Sequence, residues 1–447
     1  MIKQLWRNKV IKGNVNALIG NVIQAGFGLL LFLFLVRHLT PYQFGQWVIF
    51  ITVATLMDML RLGLTGTAVI RLISTSDNEE RPSAIGASYQ LSLLSTLMVS
   101  ALFLLSYALF NAIQPQVEYL FILLLYPLLS FTNLPFHQAN VVAQGFMDFK
   151  RSTVLKTINS TTNLLVMVVY IYLSSQIIID RLIILYILTN ALTSSIAVFN
   201  GWDGLSYLRK GTAKMRKQIM QFGKYATAGY IGSNLLKSAD TFILTLAPLL
   251  GPEAVAIYSI PLKFVEFVEI PLRSFSSAAF PHLSEAIKQG SKGFIQKLSS
   301  YTVFTTVMLL PIVIVLLLFP QFFIQIIAGP EYLSFLNTQV SILYIVCVYI
   351  LILPSDRYTG VALFAMNQPK QNFYKISAML IANIMMDLVA VFIFQSIVYV
   401  AFATLIFTVI GVFIGWYYIS QSISINYKIQ HLNFIALIRK TADGNSA

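Results

Sequence analysis

The chain has 447 residues, 57% hydrophobic and 11% charged, and its mean hydropathy of +0.75 exceeds what a soluble domain with a hydrated surface carries. Cytosolic enzymes, fibrous proteins and disordered regulators are excluded; at about 20 apolar residues per crossing, the length holds about a dozen transmembrane helices and little else. Thirty Lys and Arg against 17 Asp and Glu give +13, which in a membrane chain is first a question of which loops carry the charge.

Residues 1–13 set Ile2, Leu5, Trp6 and Val10 against Lys3, Arg7 and Lys12, the pattern of a helix lying in the membrane interface. The apolar run from Leu18 to Val36 is too long for a signal h-region and lacks a small-residue cleavage site, so it is expected to stay as helix 1. Apolar runs between polar breaks predict twelve helices, numbered 1 to 12, near 16–38, 44–66, 84–110, 117–142, 154–174, 177–200, 219–248, 253–280, 300–327, 333–366, 374–396 and 398–420. In helix 5, Asn159, Ser160, Thr161, Thr162 and Asn163 dilute the apolar run, as a helix facing the protein interior would. The tail 421–447 alternates apolar Ile423, Ile425, Ile429, Leu432 and Ile435 with polar residues and reads as a cytoplasmic surface helix that frays. The single cysteine, Cys347, rules out an internal disulfide framework.

With the N-terminus inside, twenty-three Lys and Arg fall in cytoplasmic segments, Lys375 among them, and only Arg37 and Arg181 outside. That distribution satisfies the positive-inside rule and supports the helix count, because one missed helix would scramble the alternation downstream. Both termini are therefore expected in the cytoplasm.

Internal similarity follows the same spacing. Leu39-Thr-Pro41, with Phe44, Gly45 and Trp47, matches Leu250-Gly-Pro252, with Val255, Ala256 and Tyr258, at an offset of 211. Pro135, Val142, Ala143, Met147 and Asp148 of helix 4 recur at an offset of 219 as Pro354, Val361, Ala362, Met366 and Asn367 of helix 10. A repeat of six helices keeps its topology, so the halves are parallel repeats about an axis along the membrane normal, with a central cavity expected between them. The expected organisation is a six-helix lobe over 1–200, a basic cytoplasmic linker over 201–218, a second lobe over 219–420 and the tail.

Soluble-type chemistry is nearly absent. Gly223-Lys224 is followed by Tyr225 and belongs to no phosphate-binding loop. His38, His137, His282 and His431 are scattered, and no metal site or catalytic nucleophile is expected from them. An enzyme transferring sugars on the outer face would want a sizeable exterior loop, and these loops hold about ten residues each. A non-enzymatic role without a resident cofactor is the expectation.

The informative residues are the ionisable groups inside helices, each costing about 2.5 kcal/mol or more at mid-bilayer. Asp58 and Arg61 lie three apart on helix 2, Lys237 and Asp240 on helix 7, and Lys263 and Glu266 on helix 8, where Glu269 and Arg273 follow four apart; such spacings place both members on one helix face. Each acid could simply neutralise its neighbour. Alternatively, the concentration of charge in helices 2, 7 and 8 marks a shared aqueous lumen. Arg61 and Arg273 are 212 apart, close to the repeat offset, and guanidinium groups suit phosphate or carboxylate. Helix 10 adds Asp356 and Arg357 after Pro354, opposite His137 and Gln138 after Pro135.

The turn Arg37-His-Leu39-Thr-Pro41-Tyr-Gln-Phe44-Gly45, its echo at Leu250-Gly251-Pro252-Glu253, and Phe280-Pro281-His-Leu283-Ser284 resemble polysaccharide-biosynthesis flippases. These include the O-antigen (Wzx-type) flippases of the multidrug/oligosaccharidyl-lipid/polysaccharide exporter superfamily. The resemblance implies an all-α polytopic protein of about twelve helices, built as a V-shaped, pseudo-symmetric pair of six-helix lobes in the bacterial cytoplasmic membrane. Its substrate would be an undecaprenyl-diphosphate-linked oligosaccharide, with membrane lipids around it and a polysaccharide polymerase and chain-length regulator as partners; nucleic acid is not one. On that view Arg61, Lys237, Lys263, Arg273 and Arg357 attract the diphosphate or acidic sugars, and Asp58, Asp240, Glu266 and Glu269 are candidates for coupling to H+ or Na+. The competing reading is a cation-coupled multidrug or metabolite antiporter, which would want unpaired acids where basic residues here accompany them.

Overall fold

A computed structural model describes residues 9–75, 77–113, 120–246 and 251–423. In lipid every backbone N–H and C=O must be satisfied within the segment, which leaves helices as the economical way to cross. The described residues obey this: twelve helices of 20 residues or more and no strand. They are α1 (Lys9–His38), α2 (Pro41–Thr75), α3 (Arg81–Ile113), α4 (Leu120–Gly145), α5 (Phe149–Leu173), α6 (Ile179–Phe199), α7 (Ala213–Thr245), α8 (Pro252–Gln289), α9 (Ser291–Leu318), α10 (Leu336–Ala365), α11 (Pro369–Leu388) and α12 (Ile397–Ile423). Ten helical segments among the described residues are long and apolar enough to span a membrane. The helices α7 and α8 are not among these ten, and they carry the Lys237/Asp240, Lys263/Glu266 and Glu269/Arg273 charges. The chain is an all-α polytopic membrane protein.

Several ends differ from the expected ones. Residues 9–13 of the interfacial segment are continuous with α1; residues 1–8, Leu250 and the tail beyond Ile423 lie outside the described residues. The last part of the basic linker is helical, because Thr212 caps α7 by accepting from the Met215 N–H. Helix 9 breaks at Phe319, where Pro320 cannot continue the hydrogen-bond ladder; a separate short helix, Pro320–Ile327, follows. Helix 5 does face the interior: Asn159 donates to Asn190 of α6 at 3.0 Å and to Thr193, Asn163 donates to Asn159, and Thr189 donates to Asn163.

The chain forms two compact units, residues 1–257 with 327–334, and residues 258–326 with 335–447. In the first, α2 packs on α7 and α1 on α5, while α3 packs on α4, α4 on α6, α5 on α6 and α4 on α5. The second repeats the last four contacts six helices on: α9 on α10, α10 on α12, α11 on α12 and α10 on α11. Small residues allow the close approach that membrane helices use for packing; Gly415 of α12 faces Thr359 of α10, and Gly411 faces Met379 of α11.

The segment between α6 and α7 lies against α3. Gly204, at φ +82°, precedes a short 3₁₀ turn, Leu205–Lys210, and a Cβ at Gly86 would collide with the Tyr207 carbonyl oxygen. Gln90 of α3 donates to the Leu208 carbonyl at 2.7 Å and accepts from Arg216 at 2.6 Å. Asp203 is buried and accepts from the Leu205 N–H at 3.3 Å; burial raises its carboxyl pKa above the usual carboxylate range.

Candidate functional site

In the first unit, one turn of α2 aligns Asp58 with Arg61. The Arg61 Nε donates to Asp58 Oδ1 at 2.9 Å and its Nη1 to Thr96 Oγ1 of α3 at 2.8 Å. From α4, Asn133 donates to Asp58 Oδ2 at 3.0 Å, Tyr126 donates to Oδ1 at 3.3 Å, and His137 Nε2 stands 3.7 Å from Oδ2. The Arg61 side chain is 0% exposed, Asp58 15% and His137 39%, so the network is open only at its His137 end. It continues inward through Thr65, Ser92, Gln138 and Ser88. This arrangement ties α2, α3 and α4 together by charge-assisted bonds. On α7, Asp240 is buried and Lys237 exposed, both engaged in polar contacts.

The second unit carries its charge differently. Lys263 pairs with Glu266 at 2.7 Å and Arg273 with Glu269 at 2.7 Å, each within α8. Arg273 is nevertheless 60% exposed and Glu266 64%, whereas Glu269 and Lys263 are 11% and 18%. Local neutralisation therefore accounts for three of the five sequence-predicted cations, Arg61, Lys263 and Arg273. Arg357 of α10 is half-buried and makes no hydrogen bond or ion pair among the described residues.

Two buried ionic residues escaped the sequence reading. Lys375, counted with the cytoplasmic charges at the start of helix 11, lies in the second turn of α11, which starts at Pro369, five residues before the expected 374. Its side chain is 3% exposed and its Nζ meets Asp356 Oδ1 at 2.7 Å, the Asp356 carbonyl at 2.7 Å and Thr359 Oγ1 at 2.9 Å. Asp387, at the far end of α11, is fully buried one turn after the buried Asn383. The available signal was an ionisable residue inside a predicted helix, the one already used for helices 2, 7 and 8.

Backbone geometry sets the repeat register. The helices α2 and α8 both start at the repeated proline, Pro41 and Pro252, which keeps the offset of 211 and aligns Asp58 with Glu269. Arg61 then aligns with the buried Leu272, not with Arg273, and one residue of register turns a side chain about 100° around the axis. Between α4 and α10 the register is 220, one more than the sequence match. Met147 and Asn367 are the paired left-handed residues, at φ 57° and 59°, and the flanking bonds Asp148 N to Ala143 O and Gln368 N to Leu363 O correspond. The short Pro320–Ile327 helix, 8 residues long, accounts for most of the growth in offset. In this register His137 is equivalent to Arg357.

Solved structures place the fold. A multidrug resistance MATE family transporter of the MOP superfamily, in an inward-facing conformation, superposes with a TM-score of 0.73 at 15% identity, covering 95% of this chain and 99% of that one. The lipid II flippase MurJ, inward closed, superposes with 0.69 at 14% identity over 97% and 94%. A MOP superfamily transporter from Pyrococcus furiosus, described as having a binding pocket of reversed polarity, gives 0.60 at 16% identity over 94% and 97%. No curated protein is significantly similar in sequence. The family described as polysaccharide biosynthesis protein matches residues 10–287. With more than half of its length matched, and with the helical fold shared with MOP superfamily transporters, the chain belongs to the polysaccharide biosynthesis protein family.

Proposed function

We propose that this protein is a flippase that moves an undecaprenyl-diphosphate-linked oligosaccharide from the cytoplasmic to the exterior leaflet of a bacterial cytoplasmic membrane. The oligosaccharide feeds a surface polysaccharide such as O-antigen, capsule or exopolysaccharide, which a polymerase and chain-length regulator then extend. Within a family defined by polysaccharide synthesis, one observation supports this substrate best. Half-buried Arg357 lies in a membrane-length helix without an acidic partner among the described residues, and an unneutralised guanidinium within such a span is costly unless an anion visits it. Arg273, exposed although paired with Glu269, adds a second guanidinium, and a diphosphate is the group such forks bind bidentately. Asp58 beside His137, and Asp240, Glu266 and Glu269, are the groups through which H+ or Na+ would drive the step. Both termini lie in the cytoplasm on this reading, and no covalent chemistry is involved.

The test is export of surface polysaccharide by a strain depending on this chain, with transport in proteoliposomes under imposed pH or sodium gradients. Arg357→Ala and Arg273→Ala should each lower export by roughly tenfold or more, the worth of one charge-assisted contact, at normal membrane levels. Export at wild-type rates by both variants removes the cationic recognition; indifference to both gradients removes the coupling role.

A further inference from the structure

The repeat allows each lobe to serve as the other's control. In the 220 register, Asp356 and Lys375 of the second unit occupy the positions of Phe136 and Leu155 in the first. Phe136 and Leu155 belong to one apolar cluster with Ala139 and Ala197. The same helix pair thus packs without an ion pair in one repeat, and a buried ion pair is weak support for stability when apolar residues can replace it. The Asp356–Lys375 pair therefore calls for another reason.

That reason lies one residue along α10. Asp356 directly precedes Arg357; neighbouring side chains on a helix diverge by about 100°, yet an uncompensated carboxylate this close still weakens, through space, the pull of the guanidinium on any anion. Three oxygens, Asp356 Oδ1, the Asp356 carbonyl and Thr359 Oγ1, surround the Lys375 Nζ at 2.7–2.9 Å. The acid that aligns with Asp58, Glu269, is likewise engaged, by Arg273. Both acids are held, and Arg357 is left over, where the first repeat has His137 beside Asp58.

We propose that Lys375 is a positioning residue: it holds Asp356 as a built-in counter-ion and so keeps Arg357 uncompensated for the diphosphate of the substrate. The proposal rests on the flippase reading and assigns a role to a residue that does not itself touch the ligand.

The test uses the full chain in nanodiscs, with undecaprenyl diphosphate as the probe and its Kd as the readout. Lys375→Leu leaves the Asp356 charge without its counter-ion next to Arg357 and should weaken binding roughly tenfold or more. Asp356→Phe with Lys375→Leu, which transplants the first repeat's apolar pair, should restore binding to near the wild-type value because Arg357 is again without an acid. Should Lys375→Leu fail to accumulate, Lys375→Gln keeps a polar side chain at the site and removes only the charge. In proteoliposomes the single variants should raise the half-saturating substrate concentration with little change in maximal rate, which a general loss of structure would not do. Wild-type Kd in Lys375→Gln, or a double variant in the membrane at normal level yet as weak as the single, overturns the proposal. Arg357→Ala separates the two readings: if it binds normally, recognition by Arg357 fails and the proposal with it; if it binds weakly while Lys375→Gln binds normally, only the role of Lys375 fails.

Discussion

Arg61 is the largest fully buried side chain described, and its Nε and Nη1 are spent on Asp58 and Thr96. Its contribution is therefore to hold three helices together. Removing one partner of a buried pair strands the other, at about 3–5 kcal/mol. Arg61→Ala should lower the unfolding temperature of the purified protein and its membrane level, and adding Asp58→Asn should recover part of the loss; an Arg61→Ala protein of wild-type thermal stability would show that the tie is dispensable. The pair itself was legible, because three-residue spacing on a helix brings side chains together whatever the tertiary fold. Thr96, Asn133 and His137 were not legible as its companions, since their approach depends on how α2, α3 and α4 pack. For the same reason Asp356 and Lys375, 19 residues apart on two helices, escaped notice although both were in view.

At the scale of elements, the segment between α6 and α7 is the most testable. Folding raises the pKa of the Asp203 carboxyl by burial, so the native state holds that proton more tightly than the unfolded chain does. The contribution is fully present below the unfolded value of about 3.9 and is lost as pH rises through the folded value. Hydrogen exchange over Leu205–Lys210, corrected for its intrinsic pH dependence, should therefore become faster as pH rises above about 4. Asp203→Asn, which keeps an acceptor for the Leu205 N–H without the charge, should flatten that dependence. An unchanged slope in the variant would show that another group governs the docking. Apolar runs located every helix because the bilayer imposes one minimum length on every crossing, but not the ends that run past it: α2 reaches Thr75 and α9 starts at Ser291, each nine residues beyond the expected bound. The break at Phe319 was missed because the run through Pro320, Phe322, Phe323 and Ile324 stays apolar, and hydropathy does not register a missing N–H.

For the whole molecule, the twofold repetition of a six-helix unit was visible in two turns, since backbone conformations at helix starts tolerate few residue types. Its register was visible at Pro41 and Pro252, but not between α4 and α10. The match Met147 to Met366 scores identity, whereas the structure aligns Met147 with Asn367 by their left-handed backbone. That single-residue slip makes His137 equivalent to Arg357; between α2 and α8, where the offset stays 211 from Pro41 and Pro252, the equivalent charges are the acids Asp58 and Glu269, not Arg61 and Arg273. Two like repeats have thereby acquired unlike chemistry, an imidazole at His137 in one and a guanidinium at Arg357 in the other.

The start of α8 has a mechanical consequence. Gly45 of α2 lies so close to the Pro252 carbonyl that a Cβ there would sit inside the oxygen's van der Waals shell, and α8 runs on from the first unit into the second after Ile257. The absent methyl group is thus what lets the carbonyl seat directly against the α2 backbone, with no gap between them. Gly45→Ala would act as a shim beneath the end of a long rod that carries Lys263, Glu266, Glu269 and Arg273 farther along. Such a protein should bind undecaprenyl diphosphate as the wild type does and turn over more slowly, which equilibrium binding and export rate measured on one preparation would reveal; an unaltered rate would mean that the rod's seat bears no load during transport.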